Sequence, residues 1–267
     1  MQFLLNWPAW LSFLVVSVIT TLGALAGLHL VRKKYPADAL KENHEVAAII
    51  FNAFGLLYAV VVAFVVFVTW SGYADAKKNL EMEASQTLDL FYGAKAFPDA
   101  VSNTIQQALM RYAAQVESDE LKRMSKGEIA IYSGGALKNL ITLFNAMDET
   151  AAPNRELYTE SLNRLNTLAE YRRLRIFAGN NTVPSVIWTV LLMGGLITVS
   201  YTYFFGMKNI KAQYLMTAAL TVTITMILVL IYILDHPFTG PNRVSIEPLR
   251  QAMDVMQRNY QGGTLSR

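Results

Sequence analysis

A chain of 267 residues in which 53% of the side chains are hydrophobic and only 16% are charged has too little polar surface for an ordinary soluble domain of that size, so the bilayer is the first environment to consider. With no cysteine, disulfides, thiolate nucleophiles and cysteine-based metal sites are excluded, while the compartment is left open. The net charge of +3 is small and gathered beside apolar runs, which argues against a nucleic-acid footprint.

Uncharged runs long enough to cross a membrane lie at about 10–31, 46–70, 184–206 and 212–234. They predict an all-α polytopic membrane protein in which residues 1–70 carry transmembrane helices 1 and 2. A helical extramembrane domain occupies 71–183, helices 3 and 4 fill 184–235, and 236–267 form a C-terminal tail. Trp7 and Trp10 stand where an aromatic belt opens the first span. Ala24-Leu25-Ala26 has the look of a signal-peptidase site, but no basic n-region precedes it and the apolar run continues to Val31, so no cleavage is expected. Gly23 and Gly27, with Thr20 one turn earlier, form a small-residue motif that favours close helix contact. Arg32, Lys33, Lys34 and Lys41 make the first short link basic, and Lys208 and Lys211 the second. The positive-inside rule then puts both links in the cytoplasm and the central domain outside it. Lys77, Lys78, Arg172, Arg173 and Arg175 on the other side weigh against that orientation.

The run Val46–Trp70 has two unlike faces at helical spacing. Ala48, Asn52, Gly55, Ala59 and Ala63 follow one another at steps of three or four and make a small, slightly polar stripe. Phe51, Phe54, Tyr58, Val61, Val65 and Phe67 are bulky and suit lipid or a neighbouring helix. An amide deep in a span costs energy unless water or a partner satisfies it, so the stripe is expected to line a pore or to be a subunit contact.

Beyond Trp70 no proline occurs before Pro98, so this helix is expected to run on through Leu80, Ala84, Leu88 and Phe91. Further stripes follow at Ile105, Leu109, Tyr112 and Val116, at Leu137, Leu140, Ile141, Phe144 and Met147, and at Tyr158, Leu162, Leu165 and Leu168, with a break over 148–154. Four such helices make a compact bundle or an extended hairpin array. Glu81, Glu83, Asp89, Glu117, Glu120, Glu156, Glu160 and Glu170 are read as a solvated face, because no Glu-x-x-His pair accompanies them. His29, His44 and His236 stand apart at span ends, and Gly134-Gly135 and Gly262-Gly263 lack a phosphate-cradling pattern. No nucleophile, base and metal set converges, so the residues point to a non-enzyme with no cofactor, no metal and no nucleic-acid partner.

In the last span Thr217, Thr221 and Thr225 stack on one face, where bonding back to their own helix competes with lining a wet path. Asp235 ends that span against the helix dipole and needs compensation from His236, Arg243, Arg250 or water. Pro237 stops the helix, Gly240-Pro241 turns the chain, and Phe238 is placed to tuck back. The tail carries a weak amphipathic pattern through Leu249, Met253 and Met256.

Several of these pieces resemble the bacterial bestrophin-like membrane proteins, a family without an assigned activity. They are His44-Glu45-Val46-Ala47, Asn52, Gly55-Leu56-Leu57-Tyr58-Ala59, Phe64, Trp70, Tyr73, Glu83-Ala84 and Asp235-His236-Pro237-Phe238-Thr239-Gly240. A weaker similarity to bestrophins proper rests on Gly55, Tyr58 and Pro237-Phe238. It implies a homo-oligomer, a pentamer by analogy, that conducts anions through a pore lined by the second span and lies multi-pass in the cell membrane. It also implies a cytosolic central domain, against the charge reading. The acidic run that holds calcium in bestrophins has no counterpart in Gly240-Pro241-Asn242-Arg243-Val244-Ser245, so no calcium site carries over. The rival reading is a non-conducting sensor or scaffold whose extramembrane domain binds a protein partner.

Overall fold

The computed structural model describes residues 7–35, 44–128, 135–147, 155–205, 207 and 209–265, the side chains of 44–46 and 262–265 excepted. Lys41, Gly134, Lys208 and the break over 148–154 lie outside the described residues. All regular structure among the described residues is helical: α1 (Ala9–Lys34), α2 (His44–Gly93), α3 (Asp99–Gln115), α4 (Lys122–Ser125), α5 (Gly135–Ala146), α6 (Arg155–Asn180), α7 (Ser185–Tyr201), α8 (Ile210–Leu234) and α9 (Glu247–Leu265). A π-helical segment, Val116–Leu121, joins α3 to α4. Prolines 8, 98 and 184 stand immediately before α1, α3 and α7, where a fixed φ helps the chain enter a helix and the missing N–H costs nothing. α8 opens on Asn209, whose side chain accepts from the Lys211 and Ala212 amides at 3.1 and 3.3 Å.

The chain divides into two compact units, Met1–Gly72 with Thr182–Asp235 and Tyr73–Asn181 with His236–Arg267. In the first, α1, α7, α8 and the first part of α2 are the four helices long and apolar enough to cross a membrane. α1 and α8 form the most closely packed pair. Val62, Val65, Leu191 and Ile231 make a small interior, with Tyr58, Trp188 and Ile227 packed against it. Large apolar side chains such as Leu22, Phe64, Leu196 and Leu215 are exposed, as expected of a surface solvated by lipid.

The second unit has the larger core. Stripes from the continuation of α2 (Leu80, Ala84, Phe91), α3 (Ile105, Leu109, Tyr112), α5 (Leu137, Leu140, Phe144) and α6 (Leu165, Leu168, Ile176) meet in one cluster. Ile141 alone of the buried-stripe residues expected on α5 is turned outward, at 38% exposure. Residues after the fourth span join the same cluster through Phe238, Val244, Leu249, Ala252 and Met256, so α9 packs on the bundle by one face.

Candidate functional site

Within the first unit, α2 is the least covered of the four membrane helices: 11% of its most apolar window is buried, against 22% for α1 and α7 and 33% for α8. Asn52, Ala59 and Ala63 are exposed and Ala48 and Gly55 half-buried, so no other described helix closes over the small stripe. A Cβ built on Gly55 meets nothing within 4 Å. The opposite side does the packing. Phe51 stacks edge-on against Phe205, with ring centroids 5.4 Å apart, and Tyr58 lays its ring on Gly194 and Gly195 while its hydroxyl donates to the Leu191 carbonyl at 2.9 Å. Of the bulky residues, Val65 is buried, whereas Val61 and Phe67 stay exposed. The Gly23/Gly27 motif is half used: Gly27 receives the Tyr203 ring, and Gly23 faces open space.

The threonine row of α8 is interior. Thr221 bonds back to the Thr217 carbonyl at 2.7 Å, while the Thr225 and Thr217 hydroxyls pair with Thr20 and Thr202 at 2.9 and 3.0 Å. These hydroxyls tie helices together. Arg32 is equally committed. Its guanidinium bonds the Gln213 side-chain oxygen and donates to the Phe205 and Met207 carbonyls, and Gln213 in turn donates to the Thr202 and Phe205 carbonyls at 2.9 Å. The Asp235 carboxylate accepts the Val183 backbone N–H at 2.7 Å, at the entry to α7. Arg250, one of the cations considered for it, is paired with Glu117 at 2.6 Å.

In the second unit the solvated-face reading of the acidic residues is wrong at two positions. Glu83 and Glu120 are buried, at 0% and 4% exposure, and so are Arg172 and Arg175, at 3% and 0%. Arg175 bonds Glu83 through Nε at 2.5 Å and through Nη2 at 3.1 Å, and the same Nη2 reaches Glu120 at 2.6 Å. Arg172 forks onto the other Glu120 oxygen at 3.1 and 2.7 Å, and the Tyr112 hydroxyl donates to Glu83 at 2.6 Å. Two carboxylates and two guanidiniums thus cancel inside the bundle, with every charge hydrogen-bonded as burial demands. Burial would raise the Glu120 pKa, but Arg175 and Arg172 outweigh it and hold the carboxyl below the usual range. Burial, reinforced by Glu83, pushes the Tyr112 hydroxyl well above its ordinary value. The sequence carried a signal for this lattice: Glu83 falls inside the stripe Ala76, Leu80, Ala84, Thr87, and Arg172 and Arg175 continue the stripe Leu165, Leu168, Ile176.

The turn after the fourth span is anchored in the same unit. Phe238 is buried beside Gly179, the Thr239 hydroxyl donates to the Met124 carbonyl at 3.2 Å, and the Gly240 N–H donates to the Ser125 carbonyl at 3.1 Å. Gly240 sits at φ 73°, a conformation that glycine adopts without penalty. The Val244 N–H closes the turn on the Pro237 carbonyl at 2.7 Å. Among the described residues, no group of three or more His, Asp or Glu side chains is arranged to hold a metal ion.

No curated protein matches the chain. Among solved structures, three single-substitution variants of a bacterial bestrophin homologue from Klebsiella pneumoniae share its fold. One is 15% identical with a TM-score of 0.72, covering 95% of this chain and 97% of the other. A second is 15% identical at 0.71, covering 94% and 98%, and a third 13% identical at 0.69, covering 93% and 97%. The bestrophin-like domain family matches residues 16–249, a stretch that takes in most of the first span, the other three, the inserted bundle and the turn after the last span, and the chain is therefore a polytopic membrane protein of the bestrophin-like family.

Proposed function

We propose that this protein is an ion channel: a homo-oligomer, pentameric by analogy with bestrophins, whose subunits gather around an axis lined by α2 and pass anions across the cell membrane. The observation that carries the reading is Asn52. Its amide is exposed in the span of highest hydropathy, on a stripe of small residues that no other described helix closes over. An amide presented to hydrocarbon is costly, so that face calls for water or for another subunit, and a ring of α2 helices offers both. Ala48, Gly55, Ala59 and Ala63 would give such a ring a narrow apolar neck of the kind that gates by dewetting.

Purified protein reconstituted in liposomes tests this directly. Chloride flux above that of empty liposomes is expected, and Ala59→Lys should raise it by introducing charge into the neck. Absence of flux for any anion or cation, with the oligomer intact, would leave the helical extramembrane unit as the working part and favour a membrane-anchored scaffold. A flux indifferent to Ala59→Lys would move the pathway away from α2.

A further inference from the structure

Between α3 and α4 the chain leaves α geometry. Val116–Leu121 is π-helical, a wide turn that holds one more residue than a regular helix accommodates, rare and found chiefly where a helix has a task to perform. Residues five apart on an α-helix stand about 140° from each other, so Val116 and Leu121 would not share a face in a regular one. Here both are buried, at 0% and 5% exposure, together with Glu120 and Met124. Ser118 is on the outer side of the turn, its hydroxyl bonded back to the Ala114 carbonyl at 2.7 Å.

Two things hold this register: Leu121 in the core, and Glu120 clamped by Arg172 and Arg175 of α6. The end of the segment is in turn occupied. The Met124 and Ser125 carbonyls seat Thr239 and Gly240, the Met124 methyl fills the space a Cβ at Gly179 would need, and its sulfur lies 3.4 Å from Arg175 Nη1. The arginine that grips the wide turn therefore also touches the residue on which the post-span turn rests.

We propose that Val116–Leu121 is a two-register ratchet: with Glu120 on Arg172 and Arg175 the wide turn is set and the Thr239–Gly240 turn is seated, and when the carboxylate lets go the extra residue passes into the turn at Lys126–Gly127. α3 and α4 then become one regular helix, the far end rotates by about 100° and shifts by about 1.5 Å, and the seat for Thr239 and Gly240 is lost. Gly127, already at φ 74°, supplies a glycine terminus able to absorb the residue. Exposing Leu121 and leaving Arg172 and Arg175 without Glu120 oppose the change; relief of the wide turn and rehydration of the Glu120 carboxylate favour it. The device lies wholly in the extramembrane unit and stands whether or not the protein conducts.

Hydrogen exchange on the full chain in detergent micelles tests it without any substitution. The amides of 118–125 should exchange at least about ten-fold faster than those of 105–113 in the same helix, because they open by the register change as well as by unfolding; equal protection would overturn the ratchet. E120Q should speed exchange at 118–125 by a factor about ten greater than at 105–113, whereas E117Q, whose partner Arg250 is exposed, should change neither. Acceleration spread evenly over the unit, or none, would reduce Glu120 to a plain structural tie. Because the chain has no cysteine, the pair Ser125→Cys and Thr239→Cys gives a clean crosslink of the seat, and its yield should fall several-fold when E120Q is added. An unchanged yield counts against the coupling between turn and seat.

Discussion

Arg175 is the residue on which the extramembrane bundle balances. It is fully buried and serves both carboxylates, so its removal would strand Glu83 and leave Glu120 with Arg172 alone. Arg175→Ala should cost about 3–5 kcal/mol, the usual penalty for orphaning a buried charge, measurable as a fall in the denaturation midpoint of the purified protein. Arg175→Lys should recover only part of it, since a point charge cannot reproduce the fork that spans two carboxylates. At this scale the sequence was legible for apolar residues and misleading for charged ones. Helical spacing places Glu83 on the buried stripe and Glu81 off it, yet a single acid in an apolar stripe has no sequence mark of the arginine that neutralises it 92 positions later. The bond from the Val183 N–H to Asp235 is likewise silent, because a backbone donor leaves no trace in residue type.

Among the elements, α2 and α7 meet through a ring set into a pair of glycines. A methyl at Gly194 would run into the Tyr58 ring, and one at Gly195 would crowd its hydroxyl and Ile224. Gly194→Ala should therefore destabilise the membrane unit by about 1–3 kcal/mol through overpacking. Tyr58→Ala in the same chain should abolish most of the difference between glycine and alanine at 194, which thermal unfolding of the four variants would read as a coupling energy. An alanine that costs the same with and without the tyrosine would remove the ring from the account. Small-residue motifs announce that a close approach is tolerated and do not name the visitor, which explains why Gly23 stands open while Gly27 holds Tyr203. Lengths were easier. The absence of proline between Trp70 and Pro98 foretold one long helix, and α2 indeed runs unbroken to Gly93. The π-helical segment had no such herald, because one additional residue in a turn does not alter composition.

For the molecule as a whole, four spans and an inserted helical bundle follow from hydropathy and length, which are summed over many residues and tolerate local error. Membership of the core does not follow. Phe238 was placed by its turn to tuck back and does so, but that Leu249 and Met256 join the same cluster from the far end of the chain is a fact of tertiary contact. The two units should also answer acid differently. The Glu120 pKa is depressed in the folded state, so its contribution is present in full above the ordinary glutamate value of about 4.3 and is lost as pH falls through the folded value. The melting midpoint of the extramembrane unit should thus stay level from about pH 7 to about 5 and drop below about pH 4. A midpoint that climbs on acidification in that window would contradict it. One feature of the membrane unit constrains its mechanics. The bond from Val183 to Asp235 fastens α7 to α8 at one end, and the Thr202–Thr217 and Gln213 bonds fasten them at the other. Pinned top and bottom, the pair forms a single strut braced against sliding along the helix axes, and α2, resting on it through Tyr58 and Phe51, is the span that the membrane unit covers least.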